Sequence, residues 1–165
     1  MSGTLRQCFV ESPIGELTLI ASEVGLRRIS WPNDCVAEGE HIMFDEAHPI
    51  LAAASKQLQE YFAGDRRDFT IPLDLEGTDF QRAAWLALAD VPYGETASYG
   101  EQAERIGRPR ASRAVGAANG KNPVPIVLPC HRIVGADGSL TGFAGGLEMK
   151  ERLLAHERAQ QSLDI

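Results

Sequence analysis

The sequence has few cysteines, only three among 165 residues, at the widely spaced positions 8, 35 and 130. So few cysteines exclude a disulfide framework and predict reduced thiols. No apolar run approaches the ~18 residues that span a bilayer. Residues 1–7 lack the apolar core of a signal peptide. We therefore expect a cytoplasmic protein that does not act on a membrane.

Neither glycine nor proline recurs with a fixed period, which excludes a collagen-like chain. Hydrophobic residues make up 44% of the sequence and charged residues 24%. A disordered chain would contain fewer apolar residues and carry more net charge. The length and composition predict a globular protein of one domain, or of two small ones.

Acidic residues are absent from 105–136, although the whole chain has a net charge of −7. The rest of the chain has ten basic and 23 acidic residues. A solvated positive face and an anion-binding surface both remain open, since a local field steers a polyanion whatever the total charge. The six basic residues of this segment are Arg105, Arg108, Arg110, Arg113, Lys121 and Arg132.

The first part of the chain predicts a small antiparallel sheet and one helix. Residues 7–10, 16–20 and 26–31 have the alternation or the β-forming residues of strands, with turns between them. Residues 51–62 repeat apolar side chains at helical spacing, and Gly64 follows them. We expect 32–47 to be a loop.

From Thr78 onward the pattern is helical. A helix over 80–88 has Thr78 or Asp79 as its N-cap. Two short helices, 98–106 and 110–119, are separated by Gly107 and match a helix-turn-helix. This match lies within the basic segment. Its second helix combines Arg110 and Arg113 with small side chains that would let the backbone approach a groove, namely Ala114, Gly116 and Ala117.

Cys130 ends a segment, 122–130, that contains three prolines and cannot form a regular helix. A buried, inert thiol and a nucleophile are both compatible with this position. A nucleophilic thiol needs a nearby base or positive charge, and His131 and Arg132 follow directly. In an extended stretch His131 would point away from the sulfur, so we expect a water to bridge them.

A histidine base needs a carboxylate to orient its far nitrogen. Glu157 is a candidate because it shares a helix face with Leu153 and Leu154. An isolated glutamate in such a position is more often a residue at the rim of the core. Its role depends on whether that helix packs beside His131.

The Pro-Cys-His-Arg motif at 129–132, with Asn-Pro at 122–123 and Leu-Ala-His-Glu at 154–157, resembles the O6-alkylguanine-DNA alkyltransferase family. The similarity covers nearly the whole chain and is strongest over 78–157. The resemblance implies an α/β N-terminal domain, ribonuclease H-like, at 1–75. It also implies a mostly α domain at 76–165 that holds the winged-helix-like helix-turn-helix and the alkyl acceptor.

The resemblance further implies a role for individual residues. Cys130 is the acceptor, His131 the base, Glu157 its orienting partner, and Asn122 the hinge that helps place them. Arg113 replaces the extruded base in the stack and Tyr99 turns the target phosphate and contacts the guanine. The remaining implied contacts are Ala114, Gly116, Ala117, Arg110 and Lys121 for DNA, and Ile133, Phe143, Ala144 and Gly145 for the base pocket.

Some positions differ from other members of that family. Phe143 stands where a tyrosine is common, and Ala144 where some members have a serine. Certain relatives hold a structural zinc through two cysteines, and those positions here are Gly3 and Ser22. We therefore expect no metal and no other cofactor, and we interpret Cys8 and Cys35 as bystanders.

The function implied is direct-reversal DNA repair: irreversible, single-turnover transfer of an alkyl group from O6 of guanine, and from O4 of thymine, to Cys130 after base flipping. The partner is double-stranded DNA, and we expect a monomer, with cooperative assembly on DNA left open. Two alternatives are a lesion-sensing DNA-binding protein, whose known examples lack the cysteine, and a Cys-His hydrolase.

Overall fold

The computed structural model describes residues 4–32, 42–140, 143 and 145–162, with the side chains of 161 and 162 left out. Its chain divides into two units, Met1–Glu76 and Gly77–Ile165. The expected α/β first part and helical second part are confirmed. Cys35, Gly3 and Ala144 lie outside the described residues. No helix in the described ranges is long and apolar enough to cross a membrane.

The first unit is built on a four-stranded sheet in the order β3-β2-β1-β4. Strands β1 (Arg6–Ser12), β2 (Gly15–Ala21) and β3 (Leu26–Ser30) form the expected antiparallel meander. Gly15 closes the first hairpin at φ 110°, a backbone angle that favours glycine. The sheet's apolar side packs against α1 (Pro49–Ala63) through residues such as Leu17 and Leu58, both fully buried.

The prediction of a loop over 32–47 is wrong at residues 43 and 44. Met43–Phe44 forms a short strand, β4, which pairs in parallel with Arg6 and Gln7 of β1. The Gln7 side chain also donates to the Ile42 carbonyl oxygen at 3.0 Å. A two-residue strand is too short to produce a periodic pattern, so the sequence carries no signal for it. Residues 33–41 lie outside the described part of the chain.

The two positions that correspond to the zinc-binding cysteines of some relatives are Gly3 and Ser22. Gly3 is outside the described residues. At the second, the Ser22 hydroxyl donates to Asp74 Oδ2 at 2.6 Å. Asp74 also accepts from Arg27 at 2.9 Å, so a polar cluster ties the turn after β2 to the segment before Glu76. Within the described ranges no group of three or more His, Cys, Asp or Glu side chains could hold a metal ion.

The second unit contains the helices α2 (Asp79–Ala87), α3 (Tyr99–Arg105), α4 (Ser112–Asn119) and α5 (Leu147–Ser162), and two 3₁₀ turns, Leu88–Asp90 and Cys130–Arg132. Thr78, rather than Asp79, caps α2, and Ser98 caps α3, each through a complete capping box. α4 begins two residues later than expected, so Arg110 precedes it.

A short parallel pair links α3 to the second 3₁₀ turn. Strand β5 (Ala97–Ser98) lies beside β6 (Ile133–Val134), with Ala97 opposite Ile133. Tyr99 is the first residue after β5, and Cys130–Arg132 directly precedes β6. This pairing therefore brings the start of the helix-turn-helix to the segment that holds Cys130.

Candidate functional site

Cys130, His131 and Arg132 form one 3₁₀ turn in which all three side chains are buried. Our premise of an extended stretch is therefore wrong at these residues. The preceding Pro129 has a φ of −80° and a ψ of 68°, which are not extended angles, and the Arg132 amide donates to the Pro129 carbonyl at 3.0 Å. Successive residues of a 3₁₀ helix are rotated by about 120°, so the three side chains point in three directions.

The Cys130 side chain is 6% exposed. Burial raises the pKa of its thiol to about 11, while a hydrogen bond from Asn122 and the charge of Lys150 act in the opposite direction. The resting group is thus a neutral thiol at neutral pH. Asn122 and Lys150, which favour its ionised form, distinguish it from Cys8. Burial and the charge of Glu46 together raise the pKa of the Cys8 thiol to about 11.

Asn122 organises the segment that leads to Cys130. Its Nδ2 donates to the Leu128 carbonyl at 2.8 Å, and its Oδ1 accepts from the Val124 amide at 3.0 Å. Between them Ile126 has a φ of 75°, the left-handed backbone that β-branched residues rarely adopt. Ile126 is 1% exposed, so its packed side chain offsets the conformational cost. The segment is bent in one fixed way that sets the position of the thiol.

His131 and Glu157 form a buried pair. His131 Nε2 lies 2.6 Å from Glu157 Oε2, and both side chains are fully buried. Burial, with the charges of Arg132 and Lys150, lowers the pKa of His131 below its ordinary value against the opposing effect of Glu157. A neutral imidazole that donates through Nε2 leaves Nδ1 as an acceptor, and Nδ1 has no hydrogen-bond partner among the described residues. The geometry suits a histidine that receives a proton at Nδ1.

Arg132 is the basic residue of 105–136 that lies inside the protein. It is 5% exposed, whereas Arg113 and the other four basic residues of the segment are exposed. Its Nε donates to Glu157 Oε1 at 2.9 Å. The predicted positive face therefore consists of five charges, and the sixth neutralises Glu157.

Lys150 is a site residue that sequence reasoning missed. Its side chain is fully buried, and its Nζ lies 6.0 Å from the centre of the Tyr99 ring. Burial lowers the pKa of Lys150, while its interaction with Cys130 raises it. Lys150, Leu153, Leu154 and Glu157 follow the i, i+3, i+4, i+7 spacing, and all four are buried. That spacing was the available signal, since Glu157 had already been placed on the Leu153–Leu154 face.

The helix-turn-helix presents an exposed basic surface on a buried polar frame. Arg113, Ala114 and Ala117 are exposed on α4, and Gly116 is partly exposed. Beneath them Gln102 of α3 and Asn119 of α4 exchange two amide hydrogen bonds, of 2.9 and 2.8 Å. Arg110 and Lys121, which flank α4, are also exposed.

The residues assigned to the base pocket are only partly brought together. Tyr99 is half-buried and lies against Gly116, where an added Cβ would meet its ring at 3.6 Å. Ile133 is fully buried next to the Cys130 turn. Phe143 and Gly145 are partly exposed, and Ala144 lies outside the described residues.

Comparisons with known proteins cover both units. Residues 5–75 match the family "6-O-methylguanine DNA methyltransferase, ribonuclease-like domain", and residues 79–159 match the corresponding "DNA binding domain" family. A methylated-DNA–protein-cysteine methyltransferase from Mycolicibacterium paratuberculosis is 52% identical over 149 residues, 90% of each chain. The chain belongs to the methylated-DNA–protein-cysteine methyltransferase family.

Two further relatives support this membership. The constitutive methylated-DNA–protein-cysteine methyltransferase of Bacillus subtilis is 43% identical over 90% of this chain and 92% of its own. The crystal structure of Mycobacterium tuberculosis OGT in complex with DNA superposes with a TM-score of 0.86 at 44% identity, covering 95% of this chain and 94% of that one.

Membership in the methylated-DNA–protein-cysteine methyltransferase family makes this chain a DNA-binding repair enzyme that acts by alkyl transfer to a cysteine. Of the two cysteines that the structure describes, Cys130 has a base and a cation beside it. Cys8 lies in the other unit. The geometry thus directs attention to the Cys130 turn.

Proposed function

We propose that this protein repairs O6-alkylguanine, and O4-alkylthymine, in duplex DNA by irreversible transfer of the alkyl group to Cys130 after base flipping. The observation that carries the proposal is the buried 3₁₀ turn, in which Cys130 precedes a histidine bonded to Glu157 at 2.6 Å. The second unit is then the DNA-binding and alkyl-acceptor domain. Flipping is needed because the alkylated atom is out of reach of a nucleophile inside the stack.

The reaction starts with proton transfer. The Cys130 thiol gives its proton through a bridging water to His131 Nδ1, and Glu157 stabilises the imidazolium that forms. Lys150 stabilises the thiolate until it reacts. A thiolate is needed because the neutral thiol is a poor nucleophile.

The thiolate then displaces the base from the alkyl carbon. A carbon–sulfur bond forms as the carbon–O6 bond breaks, and the electron pair of the broken bond goes to the guanine. Tyr99 donates a hydrogen bond to the guanine, which takes up a proton from water as it leaves, while His131 returns the proton of the thiol to water. A thioether is not hydrolysed under these conditions, so each molecule acts once.

The contacts with DNA divide into two kinds. Arg110 and Lys121, exposed beside α4, neutralise phosphates and make binding depend on salt. Arg113, exposed in the first turn of α4, enters the stack where the base has left, as arginine wedges do in minor-groove binding. The small residues of α4, namely Ala114, Gly116 and Ala117, let the helix backbone approach the DNA groove closely. Ile133, Phe143, Ala144 and Gly145 enclose the guanine.

The test is the mass of the protein after reaction. Incubation with a duplex that contains O6-methylguanine should add one CH₂ to the chain, and peptide mapping should place it on Cys130. Cys130→Ser should stay unmodified, while Cys8→Ser should react like the parent. A parent protein that binds the duplex yet keeps its mass would favour the lesion-sensing alternative. Steady turnover of esters or peptides would favour the hydrolase.

Replacing Arg113 should slow repair of duplex DNA without affecting the chemistry. With saturating duplex, Arg113→Ala should reduce the single-turnover rate constant by at least about 10-fold, since flipping costs a few kcal/mol. Its rate with free O6-methylguanine base should equal that of the parent. The exposed position predicts a change in unfolding free energy within about 0.5 kcal/mol.

Arg110→Ala is the matched control for that experiment. It removes one exposed arginine of the same surface but, in our proposal, only a phosphate contact. It should weaken DNA binding and reduce the slope of log binding constant against log salt concentration by about one. Saturating DNA should restore the single-turnover rate constant. If Arg113→Ala repaired saturating duplex at the parent rate, that result would exclude the wedge role of Arg113.

A further inference from the structure

Arg132 is held in one orientation by four contacts. Its Nε and one terminal nitrogen donate to Glu157 at 2.9 and 3.2 Å, and the other terminal nitrogen donates to the Val91 carbonyl at 2.7 Å. The guanidinium also lies 5.5 Å from the centre of the Tyr93 ring. This is more than a pairing of opposite charges, because the planar group is aligned with both carboxylate oxygens.

Glu157 therefore has its counter-charge in place before any reaction. Oε2 accepts from His131 and Arg132, and Oε1 accepts from Arg132 and from the Gly94 amide at 3.2 Å. A fully buried carboxylate requires one neutralising cation. Arg132 fills that requirement, so His131 does not have to.

We propose that Arg132 is a positioning residue that keeps His131 uncharged, and hence able to accept a proton, by neutralising Glu157. Without the guanidinium, His131 would become the counter-ion of Glu157 by taking a proton from solvent. Nδ1 would then carry that proton and could not receive one from Cys130. This inference rests on the proposed proton transfer, but its central claim concerns the charge of His131 alone.

The groups that face His131 support this assignment. Cys130 and Arg132 belong to its own turn, and Lys150 and Glu157 come from α5. After burial, Glu157 acts to raise the pKa of His131, and Arg132 and Lys150 act to lower it. Removing Arg132 takes away one of the two cations and leaves the carboxylate.

The experiment is an NMR titration of ¹³C-labelled histidine in a Cys130→Ser background, where alkyl transfer plays no part. The His131 signal is assigned by its loss in His131→Gln. In the parent background His131 should stay neutral down to below pH 6.5, its ordinary pKa. Arg132→Met should raise the titration midpoint by about one pH unit or more, and Arg132→Lys by less, because lysine supplies a point charge without the aligned pair.

The matched control is Arg82→Met, which removes an arginine from an exposed ion pair with Asp79 in the same unit. It should leave the His131 midpoint unchanged. If Arg132→Met fails to fold, two other variants test the inference. They are Arg132→Lys and the double variant Arg132→Met/Glu157→Gln, which removes both charges. The double variant should keep the midpoint at or below the parent value. An unchanged midpoint in Arg132→Lys, or a raised one in the double variant, would overturn the inference.

A kinetic measurement with Cys130 restored separates this role from a structural one. In single-turnover reactions with excess DNA, the amplitude reports the folded fraction and the rate constant reports the chemistry. The acid limb of the rate constant should move to higher pH in Arg132→Lys, whereas a structural role would reduce only the amplitude. A shifted histidine midpoint without any alkyl transfer in the parent would contradict the proposed function and leave the role of Arg132 standing.

Discussion

Lys150→Met should slow alkyl transfer by about 100-fold, the usual effect of removing one electrostatic contact from a buried reaction centre. Lys150 is fully buried, and its charge lowers the pKa of a thiol that burial has raised to about 11. Without that charge the thiolate is harder to form. The measurement is the single-turnover rate constant with free O6-methylguanine base, which does not depend on DNA binding.

The same variant should be at least as stable as the parent. Exchanging a buried ammonium for an apolar side chain of similar length removes a desolvation cost, so urea unfolding should show an equal or higher free energy. A variant that is stable but slow separates the chemical role of Lys150 from a packing role. Lys121→Met, an exposed lysine of the same unit, should retain the rate with free base. A parent-like rate in Lys150→Met would remove the role assigned to its charge.

Glu157→Ala should destabilise the protein by about 3–5 kcal/mol, because it leaves the buried Arg132 guanidinium without its carboxylate. Glu157→Gln should cost less, since an amide oxygen can still accept from His131. Urea unfolding followed by circular dichroism measures both. Glu151→Ala, an exposed glutamate of the same helix, should change the unfolding free energy by less than about 0.5 kcal/mol. A loss below about 1 kcal/mol in Glu157→Ala would contradict the prediction.

The pH dependence of stability provides a second measure of that carboxylate. The hydrogen bonds from His131 and Arg132, together with the charge of Arg132, outweigh burial and hold the pKa of Glu157 well below its usual range. Its stabilising contribution is therefore present above the unfolded pKa of about 4.3 and is lost as the pH falls below that value. Glu157→Ala should lack this part of the acid-induced loss. His131, whose pKa is lowered, makes the parent less stable as the pH falls below about 6.5.

The sequence predicts those features that depend on neighbouring residues. Alternation along β2, a cap at Thr78 or Asp79, and the helix predicted at 98–106 are local signals, and the structure has those elements within one or two residues. The Pro-Cys-His-Arg motif is local as well. Glu157 was identified by its shared face with Leu153 and Leu154, but its distance from His131 is a tertiary property.

The features that were missed have physical reasons. Arg132 was counted as part of a positive face because nothing in its immediate sequence reveals a carboxylate 25 residues away. Lys150 stands between Glu148 and Glu151, both exposed, so its surroundings resemble a solvated helix surface. Strand β4 depends on two backbone pairings with Arg6 and Gln7. The contacts of Arg132 and β4 are made only after folding, whereas for Lys150 the helical spacing to Leu153, Leu154 and Glu157 was the available signal.

The 3₁₀ turn at 130–132 also limits how this site can vary in evolution. With about 120° between consecutive residues, inserting or deleting one residue would rotate the later side chains of this turn by about that angle. The imidazole and the guanidinium, which both bind Glu157, could then not keep their hydrogen bonds to it together. Such an insertion or deletion would abolish the arrangement in one step, whereas a single substitution would alter it only in part. Length differences among relatives should therefore be excluded from this turn and accumulate in segments that carry no part of it.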